Sequence, residues 1–130
     1  MVGRPRLPSV RCMPDVHTVF RIIDAKDAPE FAALFARSGS MTFGNADPMV
    51  GPDAIAAGIG SFFAAIAALR HRVEHTWSVG ADTITQVEVC YTRLDGKEVT
   101  LPGVSIWRVD TDDAFVDYRV FIDQAPLFAA

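Results

Sequence analysis

After Leu69 the apolar residues of this chain stop recurring every three or four positions and begin to alternate. His71, Val73, His75 and Trp77 interleave with Arg72, Glu74, Thr76 and Ser78. A period near 3.6 belongs to helices packed by one face and a period of 2 to strands, so helices come first and a sheet follows. With 130 residues there is room for one domain. That order predicts an α+β fold in which a curved antiparallel sheet wraps around N-terminal helices.

The helical half is marked by its caps. Asp15 follows Pro14 and precedes Val16, Val19, Phe20 and Ile23, a short amphipathic helix. Asp27 opens a second helix with Pro29 in its first turn and Phe31, Leu34 and Phe35 on one face, stopped at Gly39. Residues 41–43 read as a brief strand and residues 44–51 as a loop. Pro52 and Asp53 then begin a long alanine-rich helix running to Leu69. Four strands follow, separated by turns at 80–82, at Asp95-Gly96 and at 110–113.

Composition narrows the partners. Half of the chain is hydrophobic and its mean hydropathy is +0.21, which excludes a disordered polyampholyte. The formal charge of −4 argues against nucleic acid, whose phosphates need a basic face. Residues 54–69 form the longest run of low polarity, but about 18–20 residues are needed to cross a bilayer, and no membrane segment is expected. Cys12 and Cys90 are too few for a disulfide scaffold and match no zinc spacing. Residues 1–13 hold Arg4, Arg6 and Arg11 with no acid, leaving −7 on the remainder; with Pro5 and Pro8 they read as a flexible basic arm. No signal peptide follows those arginines, so residues 14–130 are expected as one domain in the cytoplasm, with reduced thiols.

Both faces of the predicted strands carry apolar residues. Val87, Val89 and Tyr91 alternate with Glu88, Cys90 and Thr92, and Val104 and Ile106 with Ser105 and Trp107. Two covered faces are implied, one by helices around a cavity and one by a second copy of the chain.

In this order the motifs resemble the nuclear-transport-factor-2-like superfamily, which includes ketosteroid isomerase, limonene-epoxide hydrolase and the SnoaL-like polyketide cyclases. The resemblance spans about residues 14–126. It is carried by FAALFARSG after Asp27, by TFGNADPMVGPDAI, His71, Asp95-Gly96, LPGVSIWRV and DYRVFIDQAP. It implies a cone-shaped cystatin-like α+β barrel with a ligand cavity at its wide end and a homodimer across the sheet.

The chemistry of each relative is then compared position by position. The tyrosine and two carboxyl groups of the isomerase fall on Val19, Ser105 and about Phe43, which excludes that route. In the epoxide hydrolase pattern Asn45 is kept, but the water-positioning tyrosine falls on Phe43 and the Asp–Arg–Asp set on Cys90, Glu88 and Val120. The SnoaL-like cyclases, which rely on a pocket acid and a nearby histidine, are the least contradicted enzymatic relatives.

The expected cavity therefore presents Asn45, Glu88, Cys90, Ser105 and Tyr118, framed by Phe43, Trp107, Val120 and Ile122. Glu88 is the proposed proton carrier, with Tyr118 or Asn45 on the substrate oxygen. Alternatively Glu88 pairs with an arginine or lies one register out on the surface. His71 could act as a base at the cavity mouth or orient its strand through a loop carbonyl. His75 and Trp77 suit an interface or core, and His17 an exposed site. Cys90 lacks a histidine partner and reads as an apolar filler. Asp110, Asp112 and Asp113 lack the glycine and glutamate of a calcium loop. Arg119 and Asp123 suit ion pairs at a dimer edge. No metal and no cofactor is expected: histidine and carboxylate spacings match no metal site, and Gly58 and Gly60 lack a phosphate loop's Lys-Ser/Thr. The sequence supports a small apolar ligand with cofactor-free isomerase-, cyclase- or hydrolase-type chemistry, or else a non-catalytic ligand-binding or dimeric assembly module. A partner-binding adaptor would instead show a further exposed apolar patch.

Overall fold

The structure, a computed structural model, describes residues 14–129. The basic arm expected over 1–13 lies outside the described residues. Helix α1 (Val16–Asp24) starts where Asp15 accepts the Thr18 amide at 3.0 Å, and it buries Val19, Phe20 and Ile22. Helix α2 (Ala28–Ala32) starts at Asp27, which accepts the Glu30 amide at 3.1 Å. Between them Lys26 takes a positive φ of 58°, and its Nζ donates to the carbonyls of Ile66 and Ala67 at 2.9 and 3.2 Å. That grip fixes the end of α1 against the start of the third strand. The candidate site is built on this junction.

The second helix is shorter than the sequence suggests. The chain leaves it at Ala33 and becomes strand β1 (Phe35–Phe43), where a helix to Gly39 and a strand of three residues were expected. Gly39 is not a helix stop. It lies inside β1 at a register shift, where an added Cβ would stand 2.4 Å from the Phe115 carbonyl oxygen. Only glycine lets the two backbones approach so closely. Strand β2 (Met49–Val50) pairs with β1, and helix α3 (Pro52–Ala64) buries Ile55, Ile59 and Phe63 at four-residue intervals. Strand β3 begins at Ile66, so the expected helix to Leu69 ends about one turn early.

Strands β3 (Ile66–Val79), β4 (Asp82–Arg93), β5 (Glu98–Val109) and β6 (Phe115–Ile122) form the expected antiparallel meander. It does not stand alone. One mixed, curved sheet of six strands in the order β2-β1-β6-β5-β4-β3 results, with β1 parallel to β6 and the barrel left open. The Asp95-Gly96 hairpin forms as read, with Gly96 at φ 89°. Asp110 Oδ1 accepts the amides of Asp112 and Ala114 and so closes its own turn. Helix α4 (Ala125–Phe128) returns Leu127 to the core. The architecture is the α+β cone of the resemblance. No helix among the described residues is long and apolar enough to cross a membrane.

Register fixes which side chains face the helices. Thr85 pairs with Ser105, Val87 with Gly103, and Trp107 with Tyr118, so these residues share the concave face. Glu88 and Cys90 pair with Pro102 and Thr100 on the convex face. Behind the concave face an aromatic cluster joins Phe20, Phe31, Phe35, Trp107, Phe115 and Tyr118.

Candidate functional site

Between the concave face and the helices lies a narrow, partly open cavity. Its walls are mostly apolar. Phe43 and Phe62 face each other at 5.0 Å, and Ile59, Phe63, Val87, Val89 and Val120 continue the lining. Four polar side chains interrupt it: His71, Tyr91, Ser105 and Tyr118. Apolar walls with a few convergent polar groups are the common form of a small-molecule site.

His71 is the most elaborately held of the four. Its Nδ1 lies 2.6 Å from Oδ1 of Asp24, and its own backbone amide donates to Oδ2 at 2.9 Å. One carboxylate thus grips both ring and backbone. Phe20 stacks on the imidazole at 4.5 Å with an interplanar angle of 20°. Asp24 is the last residue of α1, an unfavourable place for an acid beside the negative end of the helix dipole. What the residue contributes is the contact with His71. With the carboxylate accepting at Nδ1, the neutral ring carries its proton there and leaves Nε2 as the basic nitrogen.

The two tyrosines are held neutral. Burial, with a smaller contribution from the Asp24 charge, pushes the Tyr91 phenol up to about 12. Burial also raises Tyr118, against a weaker opposing effect of the Ser105 hydroxyl nearby. Neither becomes a phenolate at ordinary pH, and both remain hydrogen-bond donors.

The structure divides the sequence-predicted residues. Phe43, His71, Ser105, Tyr118, Val120 and Ile122 line the cavity. Glu88 does not. It lies on the convex face, where Arg72 forms an ion pair with it and with Glu74, the arginine-paired alternative. Cys90 faces the same way, paired across the strands with Arg70 and Thr100. Both were placed inward by an error of one residue in the facing of β4, which inverts every side chain of a strand. Asn45 is exposed in the loop after β1, away from the cavity wall. Trp107 is 0% exposed but lies behind the lining, among Phe20, Phe115 and Tyr118. His75 and Trp77 stack on each other at 5.4 Å, beyond a register shift in β3 that turns them onto the convex side. Asp24 and Tyr91 are the polar residues that sequence reasoning missed. For Asp24 the available signal was its unfavourable place at a helix end.

An open α+β cone with a polar-studded apolar cavity defines the nuclear-transport-factor-2-like class. Within that class the chain belongs to the SnoaL-like domain family, whose sequence model matches residues 16–118. Among solved structures it is similar to a nuclear-transport-factor-2-like protein of unknown function from Burkholderia pseudomallei. The identity is 20%, the TM-score 0.77, and the coverage 86% of this chain and 90% of that one. A ketosteroid-isomerase-like-fold protein from Catenulispora acidiphila, solved in complex with trimethylamine, is 12% identical with a TM-score of 0.75 over 84% and 85% of the two chains. A protein from Jannaschia assigned as a SnoaL-like polyketide cyclase is 18% identical with a TM-score of 0.72 over 96% and 94%. A search of curated proteins finds no match.

Proposed function

We propose that this chain binds a small, uncharged, largely apolar molecule in the cone and transfers a proton on it with His71, positioned by Asp24. The step is of the isomerase, cyclase or hydrolase type and uses no cofactor, since base and hydrogen-bond donors both come from the chain. It takes place in the cytoplasm. The observation that carries this reading is the 2.6 Å contact of His71 Nδ1 with Asp24 in the wall of an apolar cavity. Asp24 holds one tautomer, and its charge stabilises the imidazolium formed when Nε2 takes a proton. A ligand carrying a net negative charge is disfavoured, because no lysine or arginine among the described residues lines the cavity. That the Catenulispora protein of the same fold was solved in complex with trimethylamine supports a small-molecule reading.

A substrate-independent test is the base-promoted ring opening of 5-nitrobenzisoxazole, an uncharged aromatic that releases a coloured phenolate. The protein should accelerate it over free imidazole by roughly 100-fold or more, the scale of positioned general bases. His71→Gln should remove that acceleration. Asp24→Asn should lower it about tenfold, chiefly through kcat rather than KM, while Glu88→Gln should leave it unchanged. Full activity in His71→Gln would overturn the assignment.

A second copy of the chain is the partner proposed for the convex face. Trp77, Val79 and Phe121 are 48%, 64% and 50% exposed there, an apolar patch beside Ile84 and Ile106. Light scattering should give twice the 14.1 kDa chain mass, and Trp77→Glu should shift it toward the single-chain value. A wild-type monomer at tens of micromolar would contradict the pairing.

A further inference from the structure

The cavity contains one polar group whose partner is missing. The Tyr118 hydroxyl is buried and makes no hydrogen bond among the described residues, although the side chain belongs to the cavity wall. Its ring cannot turn away to find one. Trp107 stacks on it at 5.2 Å and 13°, Phe31 meets it edge-on at 5.3 Å, and Phe115 lies at 5.4 Å. A buried hydroxyl left without a partner costs about 1–3 kcal/mol, and native proteins keep few of them.

Ser105 supplies the second hydroxyl. It is 3% exposed, lies on the neighbouring strand, and shares the same concave face through its pairing with Val120. Its backbone carbonyl is already engaged by Thr85 Oγ1 at 3.2 Å. Both side chains therefore belong to the cavity wall on adjacent strands, β5 and β6, while His71 and Asp24 lie on β3 and α1. The groups around them are aromatic or aliphatic, and among the described residues the cavity lining contains no lysine or arginine.

We propose that Tyr118 and Ser105 form a neutral two-hydroxyl subsite that takes the carbonyl oxygen of an uncharged aromatic or alicyclic ketone or aldehyde, with Tyr118 as the principal donor. A carbonyl oxygen fits because it offers two lone pairs to two donors and brings no further proton that needs an acceptor. A carboxylate does not fit, because its charge would be buried with no cation to meet it among the described residues. The phenol suits the task because burial keeps it protonated well above neutral pH. The proposal rests on the cone being a ligand cavity and goes further by naming the class of ligand and the atoms that hold it.

Acetophenone and ethylbenzene, of nearly equal shape, separate the oxygen contact from simple apolar burial. Calorimetric titration of the wild-type protein should show acetophenone bound about tenfold more tightly than ethylbenzene. The isotope-edited carbonyl stretch of bound acetophenone should lie below its frequency in hexane. Tyr118→Phe should bring the two ligands to near parity and return the stretch toward the hexane value, and Ser105→Ala should do so in part. Tyr118→Phe also removes the unpartnered hydroxyl, so its ligand-free thermal midpoint should equal or exceed that of the wild type. Equal binding of the two probes by the wild type, or an unchanged preference in Tyr118→Phe, would overturn the subsite. If neither probe binds, the ligand-cavity reading fails and the subsite with it. His71→Gln separates the two proposals, since it should abolish the benzisoxazole reaction and keep the preference for the ketone.

Discussion

Replacing Trp107 by alanine should destabilise the fold by about 3–5 kcal/mol, as expected for an aromatic side chain removed from a closed core. Typical domains are stable by only about 5–15 kcal/mol, so the variant should stand near the edge of folding. The indole is 0% exposed and meets Phe20 of α1 at 5.9 Å, Phe115 at 5.6 Å and Tyr118 at 5.2 Å. It thus ties the first helix to the two strands that carry Ser105 and Tyr118. Its Nε1 has no hydrogen-bond partner among the described residues, so its contribution there is packing. Trp107→Phe should therefore cost far less than Trp107→Ala, since it keeps a ring in the same place. Urea denaturation followed by circular dichroism reads both. An unchanged midpoint in Trp107→Ala, with only ligand binding weakened, would make Trp107 a cavity wall and return it to the role its sequence pattern suggested.

What the sequence disclosed and what it concealed follow from how far each feature reaches along the chain. The caps Asp15 and Asp27 and the Asp95-Gly96 turn are local, and each sits where its residue type predicts. Strand β1 is not local. FAALFARSG spaces its apolar residues in a way that suits a helix, and only the parallel pairing with β6, almost eighty residues on, draws Phe35 and Met41 into the sheet. The facing of β4 was hidden for another reason. Hydrophobicity alone turns Val87, Val89 and Tyr91 inward, as the structure does; the expectation of polar groups converging on the cavity turns Glu88 and Cys90 inward instead, although Thr85 and Ser105 are the polar residues that face that way. The contact between Asp24 and His71 spans 47 positions. It arises because Lys26, in a left-handed turn, fastens the end of α1 to the first residues of β3. No sequence spacing encodes that contact.

Alkaline unfolding should be steep, and the two tyrosines set the reason. The chain contains only Tyr91 and Tyr118, and both belong to the cavity wall. In the unfolded chain each phenol titrates near its ordinary value of about 10. In the folded chain burial raises both, Tyr91 to about 12 and Tyr118 in the same direction. Above pH 10 the unfolded state therefore binds fewer protons than the native state, and stability must fall as pH rises. The sign is that of any group whose folded value is raised: its contribution is fully present below the unfolded value and is lost on the way up to the folded one. Between pH 9 and pH 11 two such groups should lower the unfolding free energy by roughly 3 kcal/mol, with little change below pH 9. Urea midpoints at successive pH values measure the loss. Near-ultraviolet phenolate absorbance supplies the independent check, because in the folded protein it should stay flat through pH 10 and then rise together with unfolding. A phenolate signal that titrates one group near pH 10 while the fold persists would show that water reaches that tyrosine, and a wet Tyr118 would no longer need a ligand oxygen to satisfy it.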